Sequence, residues 1–137
     1  MTSISLPAPA NPRAMTIAGW TLSGLFIAFM VFDTGIKLAQ LPIVAETNGA
    51  LGYQPEAGLT IGVIEAICLL LYVFPRTSAL GAVLFTGVMG GAIATHLRVE
   101  SPLFSHTLFG AYLGLFCWGG LWLRDERLRA LMPIRRS

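Results

Sequence analysis

Six ionisable residues stand inside or beside long apolar runs of this chain: Asp33, Lys37, Glu65, His96, Arg98 and His106. Two of them close the segment His96 to His106, HLRVESPLFSH, which packs histidines, an arginine and a glutamate between apolar stretches. Carboxylates and imidazoles of this kind suit proton transfer, because histidine titrates near neutrality and a carboxyl group in a low-dielectric setting can hold or yield a proton there. They could serve as acid and base on a lipophilic substrate, or exchange protons with a quinone. Glu65, His96 and Asp33 are the candidate catalytic residues; Lys37, Arg98 and His106 are the candidate substrate-binding ones. No metal site is read, since His96 and His106 lack a close-spaced third ligand.

Positioning these groups falls to elements that composition identifies. The chain has 137 residues, 55% hydrophobic and 12% charged, with mean hydropathy +0.71. Soluble domains carry about a quarter charged residues, so this sequence is short of polar surface. A helix of about 20 apolar residues spans a bilayer, and four runs come close: Ala14 to Phe32, Ala57 to Pro75, Thr77 to Thr95, and Thr107 to Leu123. Only Glu65 charges any of them. The expected fold is an all-α integral membrane four-helix bundle, with the lipid bilayer as its main partner. A net charge of +2 without a basic groove gives no reason to expect nucleic acid.

Taken in order, residues 1–13 read as a disordered arm rich in Pro, Ala and Ser, residues 14–123 as the helical domain, and residues 124–137 as a basic tail. The first apolar run is longer than a signal-peptide core and ends in Asp33 and Lys37, so it reads as an uncleaved helix, roughly Thr16 to Gln40. Leu41 to Glu56 carries Pro42, Asn48, Gly49, Gly52 and Pro55 and reads as a turn-rich external segment. Further helices are expected from about Ala57 to Phe74, Ser78 to Leu97 and Ser105 to Leu123. Ser105 is placed to cap the last of these ahead of His106. Gly87 and Gly91, and again Gly110 and Gly114, form GxxxG spacings that admit a close neighbouring backbone, within the chain or between copies in a homo-oligomer. Cys68 and Cys117 read as small packing residues at similar depth. In the tail, Leu128, Leu131 and Met132 share one face of a short amphipathic helix stopped by Pro133.

The basic residues set an orientation. Arg13, Arg76, Arg124, Arg127, Arg129, Arg135 and Arg136 fall on one side and only Lys37 and Arg98 on the other, which predicts both termini in the cytoplasm. Trp20, Trp118 and Trp122 fall towards that same side, as an aromatic belt would. With a rise of about 1.5 Å per residue, Glu65 lies about 12 Å below the outer helix end, and Asp33 at a comparable depth. Lys37 shares a helix face with Asp33. All six groups therefore map to the outer half, where they could line one pocket beneath a His96–His106 lid. Each also has a plainer role: snorkelling for Lys37 and Arg98, a mutual ion pair for Asp33 and Lys37, a solvated turn for Glu100. Glu65 fits the plainer scheme least, because a carboxylate in a membrane helix costs several kcal/mol unless paired, protonated or hydrated.

The chain resembles the DoxX-like proteins, small four-helix membrane proteins of bacteria. The resemblance rests on FDTGIKL at Phe32 to Leu38, IGVIEAICLLLYVFPRTSALGA at Ile61 to Ala82, and the long motif GGAIATHLRVESPLFSHTLFGAYLGLFCWGGLWLRDERLRAL from Gly90 to Leu131. It implies an inner-membrane protein with a redox-related role, since the wider family is similar to a membrane subunit of thiosulfate:quinone oxidoreductase and some members are linked to redox and detoxification complexes. It assigns no catalytic residue. Three functions follow as expectations: a redox component binding a quinone or small lipophilic substrate; an acid–base enzyme, of isomerase or epoxide-opening type, on a hydrophobic compound; and a non-enzymatic scaffold for a soluble redox protein.

Overall fold

The computed structural model describes residues 12–135, and the first eleven residues of the arm expected over residues 1–13 lie outside them. All regular structure among the described residues is helical: α1 Pro12–Leu38, α2 Pro42–Ala50, α3 Ala57–Val73, α4 Ser78–Arg98, a five-residue π-helical turn Leu103–Thr107, α5 Phe109–Arg124 and α6 Glu126–Leu131. The four longer helices pack in a circuit, α1 against α3 and α5, and α4 against α3 and α5. Two of them, α1 and α4, are long and apolar enough to cross a membrane.

Three local differences from the sequence reading have clear causes. The segment after α1 is not a loop: Pro42 starts α2 at a first-turn position, where its missing N–H costs nothing. Val44 and Asn48 of α2 are buried against Gly58, where a Cβ would meet Val44 Cγ1 at 2.6 Å. The helix expected from Ser105 begins later. His106 N–H and Thr107 N–H both donate to the Pro102 carbonyl, and Leu108 N–H reaches Leu103, so the chain first makes a wide turn. Ser105 caps no backbone group; its hydroxyl meets the neighbouring His106 Nδ1 at 2.8 Å. Finally, residues 12 and 13 belong to α1 and not to the arm.

The Gly87–Gly91 spacing does not seat a neighbouring backbone. A Cβ at either position would meet nothing within 4 Å, whereas one at Gly110 would lie 3.1 Å from the Met89 carbonyl oxygen. A tight helix contact pairs Gly19 of α1 with Gly120 of α5, each facing the other's carbonyl. Small residues thus draw α1 and α5 together at one end and leave space beside α4 at the other.

One end of the molecule gathers arginines. Arg124 lies 4.1 Å above the Trp20 ring and its Nε donates to Ser23 Oγ. Tyr72 hydroxyl donates to the Cys117 carbonyl at 2.7 Å, so the 2.9 Å contact between Ser23 and Tyr72 has Ser23 as donor. Three helices are joined by this directed chain, inside a core where Phe26 meets the rings of Tyr72 and Phe85 edge to face. Cys68 and Cys117 are buried free thiols in the same core. Asp125 caps α6 through Arg127 and Leu128 N–H, and Arg129 donates to the last carbonyls of α5. Of the apolar face of α6, Leu128 is buried while Leu131 and Met132 are exposed.

The opposite end gathers the histidines. Both α1 and α4 stop there through a residue in the left-handed region, Gln40 at φ 54° and Glu100 at φ 56°. Each ends its helix with paired bonds back into the last turn. In α4 this returns Ser101 to His96: Ser101 N–H donates to the His96 carbonyl, and its hydroxyl lies 2.9 Å from His96 Nδ1. Glu100 is the pivot of that turn.

Candidate functional site

Four residues apart on α1, Asp33 and Lys37 share a face, and the Lys37 ammonium donates to Asp33 Oδ2 at 2.6 Å. The same ammonium donates to Glu65 Oε1 on α3 at 2.7 Å. Gly62, one turn before Glu65, makes this reach possible, since a Cβ there would sit 2.9 Å from Lys37 Cβ. Glu65 is only 4% exposed, and Thr34 makes a long 3.4 Å contact to its second oxygen. The carboxylate is thus held as a buried partner of a cation that a second carboxylate also grips. With all three groups ionised, the trio carries one net negative charge.

These side chains line a half-open cavity of about 430 Å³ bordered by α1, α3, α4, α5 and the chain around α2. Across it stand His96 and His106, with ring centroids 5.9 Å apart in an edge-to-face arrangement. His96 is half-buried and His106 exposed. The π-helical turn places His106 there, at the start of the run into α5. Much of the remaining lining is apolar, including Phe29, Met30, Phe85 and Phe109. Lys37 also lines a second, smaller cavity of about 280 Å³ between α1, α2 and α3, on whose rim Glu56 lies.

Five of the six residues singled out from the sequence meet at this cavity: Asp33, Lys37, Glu65, His96 and His106. Arg98 does not join them. It closes α4 exposed to the outside, with its guanidinium beside Gly52. Four polar residues at the cavity, Thr47, Asn48, Tyr53 and Thr95, were not anticipated. Thr95 donates to the Gly91 carbonyl, so Tyr53 is the donor in their 2.8 Å contact and its oxygen keeps free lone pairs. Asn48 is buried, and its Nδ2 has no hydrogen-bond partner. The unnoticed signal was Pro42: read as a helix start rather than a turn, it places Val44 and Asn48 one turn apart on a face towards α3. Among the described residues no group of three or more His, Cys, Asp or Glu could hold a metal ion.

Over its described residues the molecule is thus all-helical, with a half-open, partly polar cavity and two helices of membrane-crossing length. Comparison with family models matches residues 21–120 to the DoxX-like family, and the chain belongs to that family. No curated protein and no solved structure matches it.

Proposed function

We propose that this chain is a multi-pass inner-membrane protein of four spanning helices, both termini cytoplasmic, whose outer cavity binds a quinone or small lipophilic substrate as a redox-related component. The membrane part draws on the exterior. Large apolar residues such as Leu25, Ile67, Leu70, Val83 and Leu115 are each more than half exposed, a surface that suits lipid and not water. The shorter α3 and α5 reach spanning length with their flanks, since the π-helical turn runs almost directly into α5. The arginine end, with Arg124 on Trp20, faces the cytoplasm in this reading.

A single observation carries the ligand part: Asp33, Lys37, Glu65 and two histidines line one cavity of about 430 Å³. That volume falls within the range of small-molecule sites, roughly 300–1,000 Å³, and the mix of apolar walls with a few convergent polar groups is typical of them. The residues fit a quinone ring: the aromatic walls would flank it, and ring N–H groups of His96 and His106 would donate to its oxygens. Bound there, a quinone would supply two-electron acceptor chemistry, while His96 and Glu65 would hold or move protons near its oxygens.

The test is equilibrium binding of a short-chain quinone analogue to purified protein in nanodiscs. Glu65→Gln is expected to weaken binding about tenfold, and Gly91→Leu, which projects into the cavity from α4, to abolish it. Binding unchanged by both variants would favour the scaffold reading, which needs only the outer surface.

A further inference from the structure

Three of the four seams between the long helices are closed at the level of the cavity. Between α1 and α3, Lys37 bonds Glu65, and Gly62 lets the Lys37 stem pack close to its backbone. Between α1 and α5, the Phe29 and Phe109 rings meet edge to face, 5.3 Å apart. Between α4 and α5, Gly110 presses on Met89 and Ile93. The seam between α3 and α4 differs. It is tight at the arginine end, where Gly81 lies against the Tyr72 backbone. Counting from that contact at about 1.5 Å per residue, Ile64 stands close to the height of Gly87, and Ile61 to that of Gly91. All four line the cavity, yet Ile64, Gly87 and Gly91 are also exposed to the outside, which a lining residue is only at an opening. A Cβ on either glycine would meet nothing within 4 Å. Above them, the Tyr53 hydroxyl reaches Thr95 at 2.8 Å and bridges the α2–α3 connection to α4. The result is a window in the side of the bundle.

From this we infer that the cavity holds the compact ring head of a lipophile with one long hydrocarbon tail, and that the tail leaves through this window into the leaflet at the histidine end. The frame suits a chain of methylenes: Ile61 and Ile64 supply apolar sides, and the two glycines supply width without a polar side chain. Beyond the window the apolar surface continues, with Ile67 and Leu84 exposed. The polar groups of the cavity lie elsewhere, on the α1 side with Asp33 and Lys37 and at the histidine end with His96 and His106. A ring bonded to those groups therefore keeps its tail towards the apolar exit. Volume points the same way, since about 430 Å³ takes a ring but not a ring together with a hexadecyl chain. Such a ligand enters from the bilayer without crossing water. The inference rests on the cavity being the ligand site and on the bundle spanning a bilayer; it adds the tail, its path and the route of entry.

Two quinones with closely similar rings test it, tetramethylbenzoquinone and trimethylbenzoquinone with a hexadecyl tail, each titrated against the full chain in phosphatidylcholine nanodiscs. Saturable binding is measured in the unaltered protein and in Gly87→Leu, whose side chain has open space to extend across the window. Comparing variant with unaltered protein for each probe cancels its partition into lipid. Gly87→Leu is expected to weaken the tailed quinone about tenfold by crowding the tail, and the tail-less one by no more than about twofold. A tailed quinone weakened no more than the tail-less one overturns the window and leaves the cavity as a ligand site. A second measurement uses the unaltered protein alone, so it does not depend on how the variant folds. The tailed quinone carries an alkyl diazirine on its tail beside the ring, and the photoadducts are mapped by mass spectrometry. Adducts on Ile61, Ile64, Gly87 or Gly91 are the expected result. Adducts centred on Thr47, Leu51 or His106 would send the tail out at the histidine end, and adducts centred on Phe29 or Phe109 would send it between α1 and α5. Either overturns the window. If neither quinone binds saturably, the cavity is no quinone site and both readings fall.

Discussion

Lys37 and Glu65 lie 28 residues apart in sequence, yet Lys37 Nζ stands 2.7 Å from Glu65 Oε1, and that contact ties α1 to α3. Asp33 grips the same ammonium at 2.6 Å, so the lysine has two partners and each carboxylate has one cation. Removing the cation is therefore worse than removing either anion. Breaking a buried ion pair from one side costs about 3–5 kcal/mol. Lys37→Met is expected to fall in that range, since two carboxylates would be left facing one another. Glu65→Gln should cost about 1–2 kcal/mol, because Lys37 keeps Asp33 and the amide can still accept its bond. Combining the two should recover part of the Lys37→Met loss. Reversible unfolding in detergent of the four corners of this cycle measures it; strictly additive losses would mean the pair does not couple.

Tyr72→Phe is expected to destabilise the arginine end by about 1–2 kcal/mol. The ring contacts to Phe26 and Phe85 survive, so the loss reports the hydroxyl alone. Without it, Ser23 loses its acceptor and the Cys117 carbonyl loses a donor, both in the buried core. A thermal unfolding midpoint several degrees lower checks this, and ligand binding at the cavity should not change, since the Tyr72 ring still supports Phe85.

Much of this arrangement was legible in the chain because it follows from local rules. Asp33 and Lys37 at i and i+4 must share a face, and counting turns from the helix ends put Glu65 at their depth. His96 and His106 at either end of one short link had to stay close. What could not be read depended on partners distant in sequence. Asn48-Gly49 looks like a turn until α3 is there to bury Val44 and Asn48 against Gly58. Gly87 and Gly91 carry the spacing of a helix contact, but the helix that would fill it lies elsewhere, and they line the cavity instead. Arg98 is two residues past His96, about 200° round the helix, so sharing its depth did not give it the same direction.

The glycines separate these roles in a second way. Gly91→Ala should be neutral or stabilising by up to about 1 kcal/mol, because its Cβ meets open space and alanine favours the helix. Gly120→Ala should cost about 1–3 kcal/mol or more, since its Cβ would press on Ser23 and on the Gly19 carbonyl oxygen at 2.9 Å. Melting temperatures of the two variants should move in opposite directions. Equal shifts would mean that α1 and α5 are not in close contact at this point.

The orientation is open to a direct check that needs no change to the native thiols. Cys68 and Cys117 are 3% and 0% exposed, so an impermeant maleimide should leave the unaltered chain unlabelled in intact cells. Glu46→Cys lies on an exposed turn of α2 beside the histidine end, and Arg76→Cys on the exposed link between α3 and α4 at the arginine end. The positive-inside argument expects Glu46→Cys to react from outside, and Arg76→Cys to react only once the membrane is opened. Because the cavity adjoins the same end as α2, the outcome also decides from which side its ligand arrives. Labelling of Arg76→Cys alone in intact cells would turn the protein over and put the cavity on the cytoplasmic side.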